Sequence, residues 1–193
     1  MPGSRRCATE RGLTPGQTGS VEASEVVLRP FDEYDVELLV RFANEPSFAG
    51  AFQWNGFRSP EEFRRRFLDD GFLLRDPHQL AVAWKDETVG WVAWRDPLLF
   101  GSPGSSWEIG IILAPEHRGL GIGSAAHPLL CDYLLTTSPV HRLTANTDVD
   151  NVAERRCLER CAFHLDGVMR QAGFRDGAWR DVASYSLLRE DGG

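Results

Sequence analysis

A mixed α/β domain built on one sheet is the fold that the sequence predicts, and three observations predict it. An apolar run, Trp107 to Leu113, leads through a glycine-rich loop into Ser124-Ala125-Ala126, which reads as the start of a helix. A second strand-like run, His141 to Thr147, follows that helix, and a crossover of this kind sets its two strands parallel. Before and after this unit the hydrophobic pattern switches between the two-residue period of strands and the longer period of helices.

The elements follow in order. Residues 1–24 are polar and rich in Gly, Ser and Thr, and are expected to form a flexible tail ahead of one domain over 25–190, with a short tail at 191–193. Glu25 to Phe31 reads as the first strand. Asp32 is placed to cap a helix running to about Ala43, with Val36, Leu39, Val40 and Phe42 on its apolar side. Asn44 to Arg58 reads as a linker whose aromatics, Phe48, Phe52, Trp54 and Phe57, either pack it onto the core or wall an acceptor pocket. Ser59-Pro60-Glu61-Glu62 starts a helix that should end by Gly71, with Ser59 as cap and Pro60 in the first helical position. Gln79 to Lys85 and Thr88 to Arg95 read as a hairpin around Asp86-Glu87, and Asp96 to Ser106 as a loop.

Trp107 to Leu113 is almost continuously apolar, which suggests a strand buried on both faces. The helix after it should reach about Thr136, with a kink or local break at Pro128. Asn151 and Glu154 suit a capping box for a last helix to about Cys161. Phe163 to Gln171 and Trp179 to Leu188 complete the sheet, joined across Phe174–Ala178 with Asp176-Gly177 as the turn signal. The sequence has no internal repeat.

Composition narrows the function. A chain of 193 residues, 42% hydrophobic, suffices for one sizeable core. A net charge of −7 argues against nucleic-acid binding and suits cationic, amine-bearing partners. Cys7, Cys131, Cys157 and Cys161 have no metal-ligand spacing, so no metal is expected. No secretory h-region opens the chain and no apolar run is long enough to span a membrane, so a reduced, cytoplasmic protein is expected.

The stretch His117-Arg118-Gly119-Leu120-Gly121-Ile122-Gly123-Ser124 carries the chemistry. Glycines let a backbone take φ > 0 and let a ligand approach closely. The free N–H groups and dipole at a helix start favour a phosphate. A dinucleotide fingerprint would need Gly where Ser124 stands, and a Walker loop would need Gly-Lys-Ser/Thr.

Arg118-Gly119-Leu120-Gly121-Ile122-Gly123 resembles instead the pyrophosphate loop of the GNAT acyltransferase superfamily, Gln/Arg-x-x-Gly-x-Gly/Ala. Asn151-x-x-Glu154-x-x-x-Leu158-Glu159-x-x-x-Phe163 is similar to a second family pattern. Gly167-Val168-Met169-Arg170-Gln171-Ala172-Gly173-Phe174, followed by Asp181 and Tyr185, is similar to the RimJ/RimL branch of ribosomal-protein N-acetyltransferases. The resemblance covers about residues 25–190. It implies a splayed mixed sheet of six to seven strands flanked by about four helices, with acetyl-CoA or another acyl-CoA in the wedge. The pantetheine would bond to the backbone of Ile111, Ile112 and Leu113, and Asn151 would reach it. The pyrophosphate would lie on N–H groups from Gly119 through Leu120, Gly121 and Ile122 to Gly123, with Ser124 near and Arg118 adding charge. The implied activity is N-acetyl transfer to a primary amine, of a small molecule or a protein N-terminus, by a homodimer. Two other readings stand beside it: transfer of a larger acyl group from CoA or an acyl carrier protein, and a CoA-binding homologue without activity.

Direct transfer needs a neutral amine, a stabilised oxyanion and a protonated leaving thiol. The sequence departs from the family here: Leu158 stands at the common Tyr position, Glu154 where the branch has Ser, and Gly173 where it has Glu. Glu108 remains as candidate base and acceptor-binder, with Phe52 and Trp54 as candidate acceptor walls; its alternative role is an ion pair with Arg95 or another arginine. Tyr133, Tyr185 and Cys157 are candidate acids. His117, His127 and His141 read as surface or structural residues.

Overall fold

The computed structural model describes residues 25–97 and 105–192. The tail expected over 1–24, residue 193 and most of the loop expected at Asp96–Ser106 lie outside them. Seven strands form one sheet in the order β1-β2-β3-β4-β5-β7-β6. They are β1 (Val26–Arg29), β2 (His78–Trp84), β3 (Glu87–Arg95), β4 (Ser106–Leu113), β5 (Arg142–Asp148), β6 (His164–Arg175) and β7 (Ala178–Leu188). The helices are α1 (Val36–Asn44), α2 (Pro46–Ala49), α3 (Pro60–Asp70), α4 (Ile122–Thr137) and α5 (Val152–Arg160). Every neighbouring pair is antiparallel except β4 and β5, which are parallel as the crossover required.

Helices cover both faces of the sheet, each through an apolar stripe. Ile122, Ala126, Leu130 and Leu134 of α4 are buried against Val82, Val92, Ile109 and Leu143. Leu39, Val40 and Phe63 of α1 and α3 pack with Phe72, Ala81 and Trp91 on the other side. Each of the buried Val, Leu, Ile and Phe side chains contributes roughly 1.5–3 kcal/mol relative to exposure.

The parting of β4 from β5 shapes the rest. Their ladder holds only Ser106 to Arg142, Trp107 to Leu143 and Glu108 to Thr144. On its other edge β4 stays paired with β3 as far as Leu113. Within β4 only Ile109 is buried, so the expectation of burial on both faces is corrected. The apolar run is real, but past Glu108 the splay leaves one edge without a partner strand, and Gly110 to Leu113 stay half-buried.

Other corrections are local. α2 lies inside the expected linker, entered through Pro46 at its first position. The first long helix begins at Val36 because Asp32 caps the preceding turn, accepting from the Tyr34 and Asp35 N–H groups. The Ser59 side chain makes no cap bond, although α3 starts at Pro60 as expected. α4 runs through Pro128 unbroken. Pro128 leaves the Ser124 carbonyl without its helical donor, and the Cys161 thiol approaches that oxygen at 3.8 Å. β6 and β7 are longer than expected because Asp176 (φ 51°) and Gly177 (φ 73°) make a two-residue turn with both residues left-handed.

One ion pair anchors the α1 corner. Asp35 is buried and accepts from Arg29 Nη1 at 2.6 Å and from the Asp32 N–H at 2.8 Å. Burial raises its pKa, but the bonds from Arg29, Thr88 and Asp32 outweigh that and hold it below the usual carboxylate value. A depressed carboxylate pKa contributes stability that is present above the unfolded value and lost as pH falls through the folded one. Asp35→Ala should therefore cost about 2–3 kcal/mol at pH 7, below the ~3–5 kcal/mol of a fully buried pair because Arg29 keeps part of its hydration. The deficit relative to wild type should shrink below pH 4. Urea melts at pH 7 and pH 3 check both points.

Candidate active site

A cleft of about 500 Å³ opens where β4 and β5 part. Its walls are the end of β4, the loop into α4, one side of α5 along its length and the segment after α2. Ile111, Ile112, Leu113, Arg118, Gly119, Gly121, Gly123, Ser124, Asn151 and Phe52, all named from the sequence, line it together. Leu120, Ile122, Trp54 and Glu108 do not. The Ile122 side chain is fully buried in the core, leaving only its backbone near the loop.

Strand alternation decides which β4 groups face the opening. The Ala114 N–H donates to the Val89 carbonyl, so by alternation Ile112 exchanges its backbone bonds with Trp91. Ile111 and Leu113 point the other way, into the parted edge. The expected three-residue backbone site is thus corrected: Ile112 is committed to β3. The Leu113 carbonyl is also taken, by Arg118 Nε at 2.9 Å. What remains is the Ile111 N–H and carbonyl and the Leu113 N–H, a short unpaired strand edge.

Gly121 is the N-cap of α4 at φ 93°, and Gly119 has φ 74°. A Cβ at Gly121 would meet no atom within 4 Å, so the space above it is open cleft. The first turn of α4 offers its free N–H groups there, at the positive end of a 16-residue helix.

Arg118 departs from its expected role. Besides Leu113, its guanidinium bonds to the carbonyls of Phe48 at 2.6 Å and Ala49 at 3.4 Å. Burial lowers its pKa. It ties the phosphate-type loop to the C-terminal end of α2 rather than standing free for an anion. Arg156 and Arg160 of α5 line the cleft instead, with Arg160 Nη1 3.3 Å from Ser124 Oγ. Sequence reasoning passed over both, although their four-residue spacing on a helix put them on one face.

Asn151 does two things. Its Oδ1 accepts from the Glu154 N–H at 3.3 Å, and its Nδ2 donates to Thr147 Oγ1 at 3.1 Å. The Glu154 half of the expected box is absent, because that carboxylate turns to His127, with 3.3 Å between Oε1 and Nε2.

The segment after α2 is strapped down from the far side. Arg175 donates to the Ala51 carbonyl at 2.8 Å and to Asp148 Oδ2 at 2.6 Å, and its guanidinium lies 4.8 Å from the Phe52 ring. Trp54 packs edge-on against Phe57 instead of entering the cleft.

Glu108 sits at the last paired position of the splay, bonded to Arg95 by both oxygens at 2.9 and 3.2 Å. Gly110, next on the same face, has open space where its side chain would be. Of the candidate acids only Cys157 lines the cleft. Tyr185 is fully buried, held by Arg155 and Glu159, and Tyr133 packs edge-on against Trp94. His127 is buried, as a structural reading expected. Among the described residues no group of three His, Cys, Asp or Glu side chains forms a metal site, and no helix is long and apolar enough to cross a membrane.

Comparison with known proteins gives this geometry a context. Residues 25–164 match the model of the acetyltransferase (GNAT) domain family. The chain is 26% identical over 143 residues to the ribosomal-protein-serine acetyltransferase of Escherichia coli (strain K12), covering 72% of this chain and 77% of that protein. It is 32% identical to the probable N-acetyltransferase YjcK of Bacillus subtilis (strain 168), over 43% of this chain and just under half, 46%, of that protein. Among solved structures, the spermidine N-acetyltransferase of Vibrio cholerae in complex with CoA and spermine superposes with a TM-score of 0.74 at 21% identity, covering 87% of this chain and 98% of that one.

Proposed function

From a chain that belongs to the GNAT acetyltransferase family, and so is an N-acetyltransferase, we infer that the β4–β5 cleft binds acetyl-CoA and that the acceptor amine arrives over Gly110 beside Glu108. One observation carries the inference: the unpaired edge of β4 runs directly into a glycine-lined helix start, within one cleft. An amide-bearing chain ending in phosphates fits that sequence of groups, the amides on Ile111 and Leu113 and the phosphates on the α4 N-terminus. Arg156 and Arg160 add cations on the α5 side.

Bound there, acetyl-CoA supplies the thioester whose acetyl group is transferred. The protein's part is to hold the donor, admit the amine and accept its proton. Glu108 is paired with Arg95, and a carboxylate has about four lone-pair positions, so the Arg95 pair leaves room for a water or the amine itself. Phe52 and Gln53 border the cleft from the segment held by Arg118 and Arg175, and shape the way in. The acceptor is a primary amine, of a small molecule or a protein N-terminus, and the net charge of −7 favours cationic ones. We place the whole activity in residues 25–190 and the protein in the cytoplasm.

Release of free CoA thiol from acetyl-CoA, measured across spermidine, simple alkylamines, amino acids and N-terminal peptides, tests this reading. Amine-dependent release with an N-acetylated product by mass is expected. No release above hydrolysis with any amine, from protein that binds CoA, would overturn the transferase reading.

A further inference from the structure

Cys157, only 8% exposed, belongs to the wall of the cleft, on α5 facing the first turn of α4. Its Sγ lies 3.5 Å from Ser124 Oγ and 3.9 Å from His127 Nδ1. A Cβ on Gly123 would stand 3.8 Å from the same sulfur. His127 is 1% exposed, and its Nε2 is 3.3 Å from Glu154 Oε1. Carboxylate, imidazole and sulfur therefore follow one another across the α4–α5 seam, with the sulfur at the cleft end. His127 Nδ1 also stands 3.1 Å from the Gly123 carbonyl, so an imidazolium there shares its Nδ1–H between that oxygen and the sulfur, with Glu154 beside its other nitrogen. The groups around the sulfur are His127 of α4, Glu154 and Arg160 of α5, and Cys161 just after α5, with Cys131 of α4 beyond Cys161. The neighbouring Cys161 thiol favours charge on the Cys157 sulfur, burial opposes it, and His127 and Ser124 support it; the balance holds the Cys157 thiol low and the Cys161 thiol high. Burial would push His127 down, but Cys157 and Glu154 raise it. The positive end of α4 adds to the same effect.

We propose that Cys157 is a thiol-modification site inside the cofactor cleft, at which exchange with a small disulfide attaches a thiol and closes the cleft to CoA. The proposal rests on reading the cleft as the CoA site. In the exchange the Cys157 thiolate attacks one sulfur of the disulfide. The old S–S bond breaks, a new one forms to Cys157, and the second sulfur leaves as a thiolate that takes a proton from water. Excess free thiol reverses the step. The attached group projects over Gly123 and Ser124, into the space assigned to phosphate, so CoA and the modification exclude one another.

The probe is 5,5′-dithiobis(2-nitrobenzoate), followed by thiolate release, with peptide mass mapping to assign the cysteine. An ordinary thiol near pKa 8.5 loses about tenfold in rate per pH unit below that value. Cys157 should react first, at a rate nearly flat from pH 8 to pH 6, and saturating CoA should slow it at least tenfold. CoA titration by calorimetry should show binding lost in the modified protein and restored by dithiothreitol, whereas the same treatment of Cys157→Ser should leave that variant's own affinity unchanged. His127→Gln should return the rate to ordinary pH dependence if the variant folds; the wild-type profile decides the matter if it does not. An ordinary pH profile at Cys157, or unchanged CoA affinity with Cys157 fully modified, would overturn the proposal. Untreated protein that does not bind CoA, while Cys157 still reacts with a flat profile, would overturn the reading of the cleft instead.

Discussion

Replacing Gly121 by Val should weaken CoA binding at least about 100-fold while the protein stays folded. Gly121 caps α4 at φ 93°, and its missing side chain points into open cleft. A branched Cβ there would stand where the phosphate must meet the backbone. Losing two N–H bonds to a charged oxygen, at about 1.5 kcal/mol each, already amounts to about 100-fold. The left-handed conformation adds roughly 1–3 kcal/mol of strain, or a melting point lower by about 2–4 °C per kcal/mol in a chain of this size. Gly71→Val is the control: Gly71 also has positive φ (57°) and open space, but it ends α3 away from the cleft. It should show a similar melting shift with CoA affinity intact. Calorimetric titration of both variants separates backbone strain from a blocked site.

Glu108→Gln should lower turnover by roughly 10²–10⁴ at neutral pH with CoA affinity nearly unchanged, the usual range for a positioned general base. Gln keeps the size and one acceptor oxygen but takes no proton at this pH. The deficit should narrow at high pH, where more of the acceptor amine is already neutral. The alternative role, holding Arg95, predicts something different in size as well as kind. Arg95 is 58% exposed at its side chain, and exposed pairs are worth about 0–1 kcal/mol, so a purely structural Glu108 gives a small melting shift and near-normal turnover. Rate against pH, with melting of the same variant, distinguishes the two.

The parts of this molecule that local chemistry determines could be read from the chain. The glycines of 119–123, the Pro60 helix start, the Asp176-Gly177 turn and the parallel crossover each follow from a few adjacent residues, and each is present. What depends on direction in three dimensions could not. Arg118 reads as a phosphate ligand in one dimension, but its side chain turns back to the carbonyls of Phe48 and Ala49, seventy residues away in sequence at the farther one. Ile112 looks like its neighbours, yet one step of alternation turns its backbone to β3. Pro128 breaks a helix rule locally, and the Cys161 thiol, just after α5, reaches the carbonyl that it leaves free. The splay itself has no sequence signature: an apolar run does not say that its second half will lack a partner strand on one edge.

Amide hydrogen exchange with and without CoA tests the placement of the cofactor most directly. CoA should slow exchange at Ile111 and Leu113 and at Gly119 to Ser124, in proportion to its occupancy, with little change at Ile112, already bonded to β3. Saturable CoA binding that leaves those amides unprotected, or protects another face of the sheet instead, would contradict it.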